Sequence, residues 1–359
     1  MSAAAGAGIT RRPFGRLADG QPVDEVTLDN GRGLVLSAVN LGGAVTSLQC
    51  PDRHRRPGNV VLALAAPCDE RHVGRNFGTL VGRYANRIAG ACFTLDGQPH
   101  VLPANDGTNT LHGGPAGFGA RWWSIDELPP QADGSIAVEL GLCSDDGDQG
   151  FPGRLEVKVR YTLTPAQEWR IDYQARSDRA TVVNLTHHAY WNLAGGGSAL
   201  GHRLMLAASR YAAVDARLVP LRYDSVDGTP FDFRRLREVA ERLRDDHEQI
   251  VLAHGYDHHW VIDRPAPGLV PAARLEDPLS GRVLEIETTE PGLQFYSGNF
   301  LDGSLVSRAG RTLRQGDGLC LETQHAPDAP HRADELPGVT LRPGQTWRST
   351  TVHRFGVVA

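Results

Sequence analysis

From Val23 onward the chain runs in short stretches that alternate apolar and polar residues. Gly, Pro, Asp and Asn interrupt them roughly every ten residues. Successive side chains of a strand point to opposite faces, so a period of two marks a half-buried strand. Stretches of this kind are 24–28, 33–39, 45–50, 60–64, 135–142, 155–163 and 169–176. More follow at 259–262, 274–276, 283–288, 293–299, 318–322 and 347–355. Asp96-Gly97 between 92–95 and 99–102 predicts a tight hairpin. One segment changes period. After Asp232, a residue suited to an N-cap, Leu236, Val239, Ala240 and Leu243 recur at helical spacing and predict a short amphipathic helix over 233–246. The pattern as a whole is that of an all-β sandwich or barrel. Residues 1–22 read as a loose lead-in and 23–359 as one domain, with no internal repeat or low-complexity linker.

Bulk properties narrow the classes. A length of 359 residues is long for one domain but ordinary for a large all-β enzyme. The net charge of -5 and pI near 6.3 argue against nucleic acid or an anionic membrane as partner. Lys158 is the only lysine, so arginine carries nearly all the positive charge. The five cysteines (Cys50, Cys68, Cys92, Cys143 and Cys320) are scattered, odd in number and form no CxxC, which speaks against a disulfide framework or a zinc–thiolate site. No run reaches membrane-spanning length, and residues 1–10 are too short and uncharged for a signal peptide. These features predict a soluble, cytoplasmic protein, monomeric or homodimeric.

Candidate chemistry centres on residues 183–194, Val-Asn-Leu-Thr-His-His-Ala-Tyr-Trp-Asn-Leu-Ala. His187 and His188 are neighbours, so at most one faces a given cavity; the other is expected to face solvent or a supporting partner. Tyr190 shares the face of His188. Four further clusters stand out. In 82–88 (GRYANRI), an Asn and two Arg in a strand-like run are either buried donors with partners or gatekeepers on a surface edge. Paired glycines follow His112 in 109–114 (NTLHGG), a loop able to approach a ligand or a plain turn. Asp257-His258-His259 invites a metal, but adjacent residues alternate in a strand and make a poor ligand set. Glu322, in the apolar run 319–325, is costly to bury unless paired or functional. No GxSxG elbow or phosphate loop occurs. The residue types leave open a two-carboxylate glycosidase using Asp257 and Glu322, or a His–Glu acid–base pair.

Six motifs in order (GRYANRI, NTLHGG, NLTHHAYWN, GYDH, PGLQFYSGNFL and LETQHAPD) resemble the galactose mutarotase, or aldose 1-epimerase, family over most of the chain from about residue 23. That resemblance implies a large antiparallel β-sandwich with an open sugar cleft and neither metal nor cofactor. The activity it implies is interconversion of the α and β anomers of free hexoses. Carried over by position, Glu322 is the general base and His188 the general acid. Asn86, Arg87, His112, Asp257 and Gln294 then hold the sugar, with Tyr190 beside His188 and Arg83 in a supporting place. The alternatives are an epimerase of phosphorylated or modified sugars and a non-catalytic carbohydrate-binding or sensing protein. The chain departs from the family pattern in three places. His187 stands where Asn is common, and Trp191 where Phe is, a change that reads as packing. Ala329-Pro330-His331-Arg332 replaces the usual Asn and Phe-Pro elements, which bears on substrate preference.

Overall fold

The structure, a computed structural model, describes residues 6–17, 19–65, 76–332 and 338–358. Alternation becomes strand wherever one face can be buried. In Leu155–Leu163, Leu155, Val157, Val159, Tyr161 and Leu163 point inward while Glu156, Lys158 and Arg160 point out. Glu168–Ser177 does the same with Trp169, Ile171, Tyr173 and Ala175. Each large apolar side chain so buried contributes about 1.5–3 kcal/mol. These strands belong to a nine-stranded sheet that runs from Ser124–Glu127 through Trp347–Val357 at its middle to Arg237–Glu238 at its edge.

A second, seven-stranded sheet has the order Pro220–Ser225, Arg210–Val214, Asp257–Val261, Gly292–Tyr296, Leu319–Gln324, Tyr190–Trp191 and Val61–Leu62. A third has five strands, from Gly8–Arg16 to Pro57–Asn59. Every strand pair in these sheets is antiparallel. One apolar cluster draws on all three, with Trp123, Trp169, Trp191 and Trp260 fully buried in it. Trp191 packs on Trp169, His353 and Phe355, the packing role its sequence context suggests. The Asp96-Gly97 hairpin forms as predicted, with both turn residues at positive φ.

Two expectations are corrected. Residues 233–246 are not a helix: Arg237–Glu238 is a strand paired with Arg203–Leu206, a single 3-10 turn covers Val239–Arg242, and the short α-helix lies later, at Glu248–Ala253. Phe233 and Val239 enter the core while Leu236, 37% exposed, does not, so the apparent helical stripe has no single buried face. Pairing with the open sheet edge outweighs local propensity. Residues 8–16 are not loose either; they form an exposed edge strand against Pro22–Asp29, and residues 1–5 and Ala18 of that lead-in lie outside the described residues.

Candidate active site

Leu319–Gln324 is buried along its whole length because both faces of its sheet are covered. Leu319, Leu321 and Thr323 turn toward the interior between the sheets; Cys320, Glu322 and Gln324 alternate to the other face, which floors a cleft. Register sets the floor. Cys320 stands opposite Tyr190 on one side and Tyr296 on the other, and Glu322 stands opposite Gln294. Asp257 pairs with Tyr296 in the next strand. His188, two residues before Tyr190, shares its face and reaches over the same floor, and the two rings stack at 5.0 Å.

Two loops form a wall. Thr110–Leu111 pairs with Arg87–Ile88 and brings the NTLHGG and GRYANRI motifs together. The paired glycines serve that contact rather than a ligand: a Cβ on Gly113, whose φ is +81°, would lie 2.0 Å from the Gly82 carbonyl oxygen. Asn86 donates its backbone N–H to His112 Nδ1 (3.2 Å), which leaves the His112 Nε2–H tautomer for the cleft. Arg87 Nε donates to Asp106 (2.7 Å). The backbone of the Arg87 region is held from behind by Asp328, whose N–H donates to the Arg87 carbonyl and whose carboxylate accepts from Ala89. Tyr84 donates to the Ala326 carbonyl and accepts from Ala329 N–H, which ties the variant 329–332 loop to the same wall.

The cleft, of about 220 Å³, is lined by Asn86, Arg87, His112, His188, Tyr190, Asp257 and Glu322 among the sequence candidates. Gln294 adjoins it in the floor, where its amide donates to Asp257 (2.7 Å). Arg83 lies outside, buried under the wall and donating to the carbonyls of Pro152, Gly153, Ser144 and Asp145 and to Thr181 and Ser144 hydroxyls. GRYANRI is thus a buried segment whose Arg83 guanidinium is bonded through both terminal nitrogens, with Nε alone unpartnered, and not a gatekept edge. Sequence reasoning did not single out Phe77, Phe300 or Leu301, which also line the cleft. Phe77 stacks on Tyr190 at 4.1 Å from a distant part of the chain, a contact with no local signature.

His187 corrects its expectation. It faces neither solvent nor a polar partner but the core, edge-on to Trp169 (4.9 Å) and Tyr161 (5.9 Å), with no well-formed hydrogen bond to either ring nitrogen. Asp257, His258 and His259 do not converge: His258 turns inward to Phe231 and Gln249.

At the centre, His188 Nε2 lies 3.6 Å from Glu322 Oε1, and His188 Nδ1 lies 3.5 Å from Cys320 Sγ. Burial raises the Glu322 pKa well above the usual carboxylate range; Asp257 adds to this and Arg87 opposes it. Burial lowers His188 to about 4 and pushes His112 well below its usual value, the latter also disfavoured by His188 and Arg87. Asp257 is raised by burial, against Arg87 and the Gln294 bond. One nitrogen from each of His112 and His188 and a Glu322 oxygen lie within 4.8 Å of one another, the one such convergence among the described residues. With both Nδ1 atoms engaged, what faces the cavity is two Nε2 atoms and the Glu322 carboxyl, suited to the hydroxyls of a small polar ligand. An acid and a base this close can take a proton from one oxygen of a small polar molecule and give one to another.

A family model described as aldose 1-epimerase matches residues 24–354. The chain is 38% identical over 352 residues to the galactose mutarotase of Rattus norvegicus, covering 97% of this chain and 99% of that one. It is 38% identical over 343 residues to the aldose 1-epimerase of Escherichia coli, covering 94% and 96%. Among solved structures, galactose 1-epimerase from Lactobacillus acidophilus superposes with a TM-score of 0.86 at 27% identity, over 98% of this chain and all of that one.

Proposed function

The chain belongs to the aldose 1-epimerase family and is an isomerase that interconverts the α and β anomers of aldoses; from that premise we propose that Glu322 is its general base, His188 its general acid, and free hexoses such as galactose and glucose its substrates. The observation that carries this reading is the 3.6 Å approach of His188 to Glu322 on the floor of a cleft of monosaccharide size.

Anomers interconvert through the open aldehyde. Glu322 takes the proton of the C1 hydroxyl, the C1–O5 bond breaks as the C1 carbonyl forms, and His188 delivers a proton to O5. Rotation about C1–C2 presents the other carbonyl face, and the steps reverse. Each positioned proton transfer contributes about 10²- to 10⁴-fold. Burial favours the neutral forms of both groups in the empty cleft. A neutral Glu–His pair and an ionised one hold the same single proton, so the reactive form is reached by moving that proton across the pair, not by taking one from solvent. Asn86, Arg87, His112, Asp257 and Gln294 orient the ring through its hydroxyls, and Tyr190 backs His188. Arg87 is the one Lys or Arg among the described lining residues, and Asp106 already engages it, which favours free over phosphorylated sugars.

We further place the enzyme in the cytoplasm, as a monomer or homodimer, with residues 23–359 as one domain. Support comes from the free state of Cys50, Cys92, Cys143 and Cys320 (Cys68 lies outside the described residues), from the absence of any described helix long and apolar enough to cross a membrane, and from the apolar cluster shared by the three sheets. The test of the site is polarimetry of freshly dissolved α-D-galactose and α-D-glucose. Rapid equilibration by the enzyme, lost by about 10²-fold or more in both Glu322→Gln and His188→Asn, is expected. Full turnover by either variant would overturn the assignment.

A further inference from the structure

We propose that Cys320 is a positioning residue for the general acid: its thiol holds the His188 ring with Nδ1 turned into the floor and Nε2 turned toward Glu322 and the substrate. This rests on the assignment of His188 as the acid.

The ring plane and the ring flip are held by different groups. Tyr190 stacks on His188 at 5.0 Å, and His112 meets it edge-on at 5.2 Å. These contacts fix the plane, but they are nearly indifferent to a half-turn that exchanges ring nitrogens for carbons. Polar contacts decide the flip. Those made to other side chains are Cys320 Sγ at 3.5 Å from Nδ1 and Glu322 Oε1 at 3.6 Å from Nε2, beside a contact of the ring with its own backbone. Cys320 is itself wholly buried, immobilised in the strand that carries Glu322 and opposite the residue that stacks on the ring. Acid and base are therefore aligned by side chains two residues apart on a single strand face.

Proton bookkeeping shows why a thiol suits this place. In the resting neutral pair Glu322 holds the proton and offers it to the Nε2 lone pair, so the ring carries its own proton on Nδ1, where Cys320 Sγ accepts it; the opposite tautomer would set Nε2–H against the Glu322 O–H. Burial keeps the thiol un-ionised, so it accepts as a neutral group. When the imidazolium gives its Nε2 proton to O5, Nδ1 keeps its own, and the thiol goes on accepting it. Sulfur is also a weak acceptor, so it orients the imidazolium without stabilising it strongly. A carboxylate there would hold the proton on the ring and weaken the acid.

The test combines three variants with nitrogen-15 NMR of the imidazoles, the His188 signals being assigned by their loss in His188→Asn. The wild-type enzyme is expected to show the Nδ1–H tautomer at His188. Cys320→Ala should give a mixture of tautomers and lower kcat about tenfold, the loss of one oriented hydrogen bond, with KM unchanged within about twofold. Cys320→Ser should restore both the tautomer and most of kcat. A predominantly Nε2–H tautomer in the wild-type enzyme overturns the proposal even where Cys320→Ala does not fold. So does a folded Cys320→Ala with wild-type tautomer and kcat. Full turnover by His188→Asn removes the acid assignment itself, and the role of Cys320 with it, whatever the tautomer.

Discussion

Replacing His187 by Phe should stabilise the protein at acid pH and leave it nearly unchanged at neutral pH. The ring is buried against Trp169 and Tyr161 with no well-formed hydrogen bond to either nitrogen, and burial, His353 and His188 together push its pKa well below 6.5 against a weaker opposing contact from the Gly78 backbone. The folded state therefore keeps it neutral, while the unfolded state protonates it below about pH 6.5. Where the folded pKa is depressed, the unfolded state binds more protons and stability is lost as the pH falls. At pH 5 the unfolded ring lies about 1.5 pH units below its own pKa, so folding must remove a proton at a cost of about 2 kcal/mol; at pH 7.5 that cost is under about 0.1 kcal/mol. Phe has no proton to lose. Any strain from fitting it is the same at both pH values and cancels in the difference. Urea unfolding of both proteins at about pH 5 and pH 7.5 should thus show the variant gaining about 2 kcal/mol more at the lower pH. An equal change at both would mean that the ring is not held neutral in the core. Turnover should persist, because His187 turns its back on the cleft.

Asp257→Asn should move the acid limb of kcat/KM to lower pH and raise KM. The Asp257 charge is second only to burial in raising Glu322, so neutralising it lets the base ionise at lower pH while a hydroxyl contact weakens; polarimetry between about pH 4 and 8 reads both. Gly113→Ala should cost at least about 2 kcal/mol in a thermal melt, since it combines a left-handed φ with a clash on the Gly82 carbonyl, and should raise KM through displacement of His112. Arg83→Met should cost about 3 kcal/mol in denaturant unfolding, because it strips donors from buried carbonyls of Pro152, Gly153 and Ser144.

The strands that alternate cleanly were legible because burial acts on one face at a time: Leu155–Leu163 emerges with its predicted bounds. Strands of two residues, such as Thr186–His187 and Arg87–Ile88, are too short to hold a period, and motifs rather than periodicity pointed to them. The 233–246 segment failed because a helical spacing of apolar residues says nothing about a free sheet edge nearby. Glu322 was legible as a carboxylate in an apolar run; alternation showed that only one of His187 and His188 could face the cleft, and the family resemblance, not the local pattern, chose His188. Cys320, Phe77 and Phe300 were not: an apolar residue flooring a cleft looks in sequence like one filling a core. Nor was the burial of His187, for no local pattern marks a histidine enclosed by distant aromatic rings.

The electrostatics of the cleft indicate what kind of molecule belongs in it. Two buried carboxylates, Asp257 and Glu322, share the field of one cation, Arg87, whose Nε is already committed to Asp106. Glu322 Oε2 and Gln294 Oε1 have no protein hydrogen-bond partner. Asp257 accepts from Gln294 through Oδ1 alone among the described contacts. The floor is therefore rich in acceptors, the donors (His112 Nε2–H and the Arg87 guanidinium) standing in the wall, and buried acceptors left unmatched cost free energy. An anionic ligand would deepen the imbalance, and an apolar one would leave the acceptors stranded. A neutral polyol ring corrects it, because several hydroxyls at fixed spacing arrive together as donors on a rigid frame. Once those hydroxyls solvate the floor, the ionised Glu–His pair disfavoured in the empty cleft becomes affordable. The substrate thus helps to create the charge state in which it reacts, and a deoxy sugar lacking one of those donors should lose kcat as well as affinity.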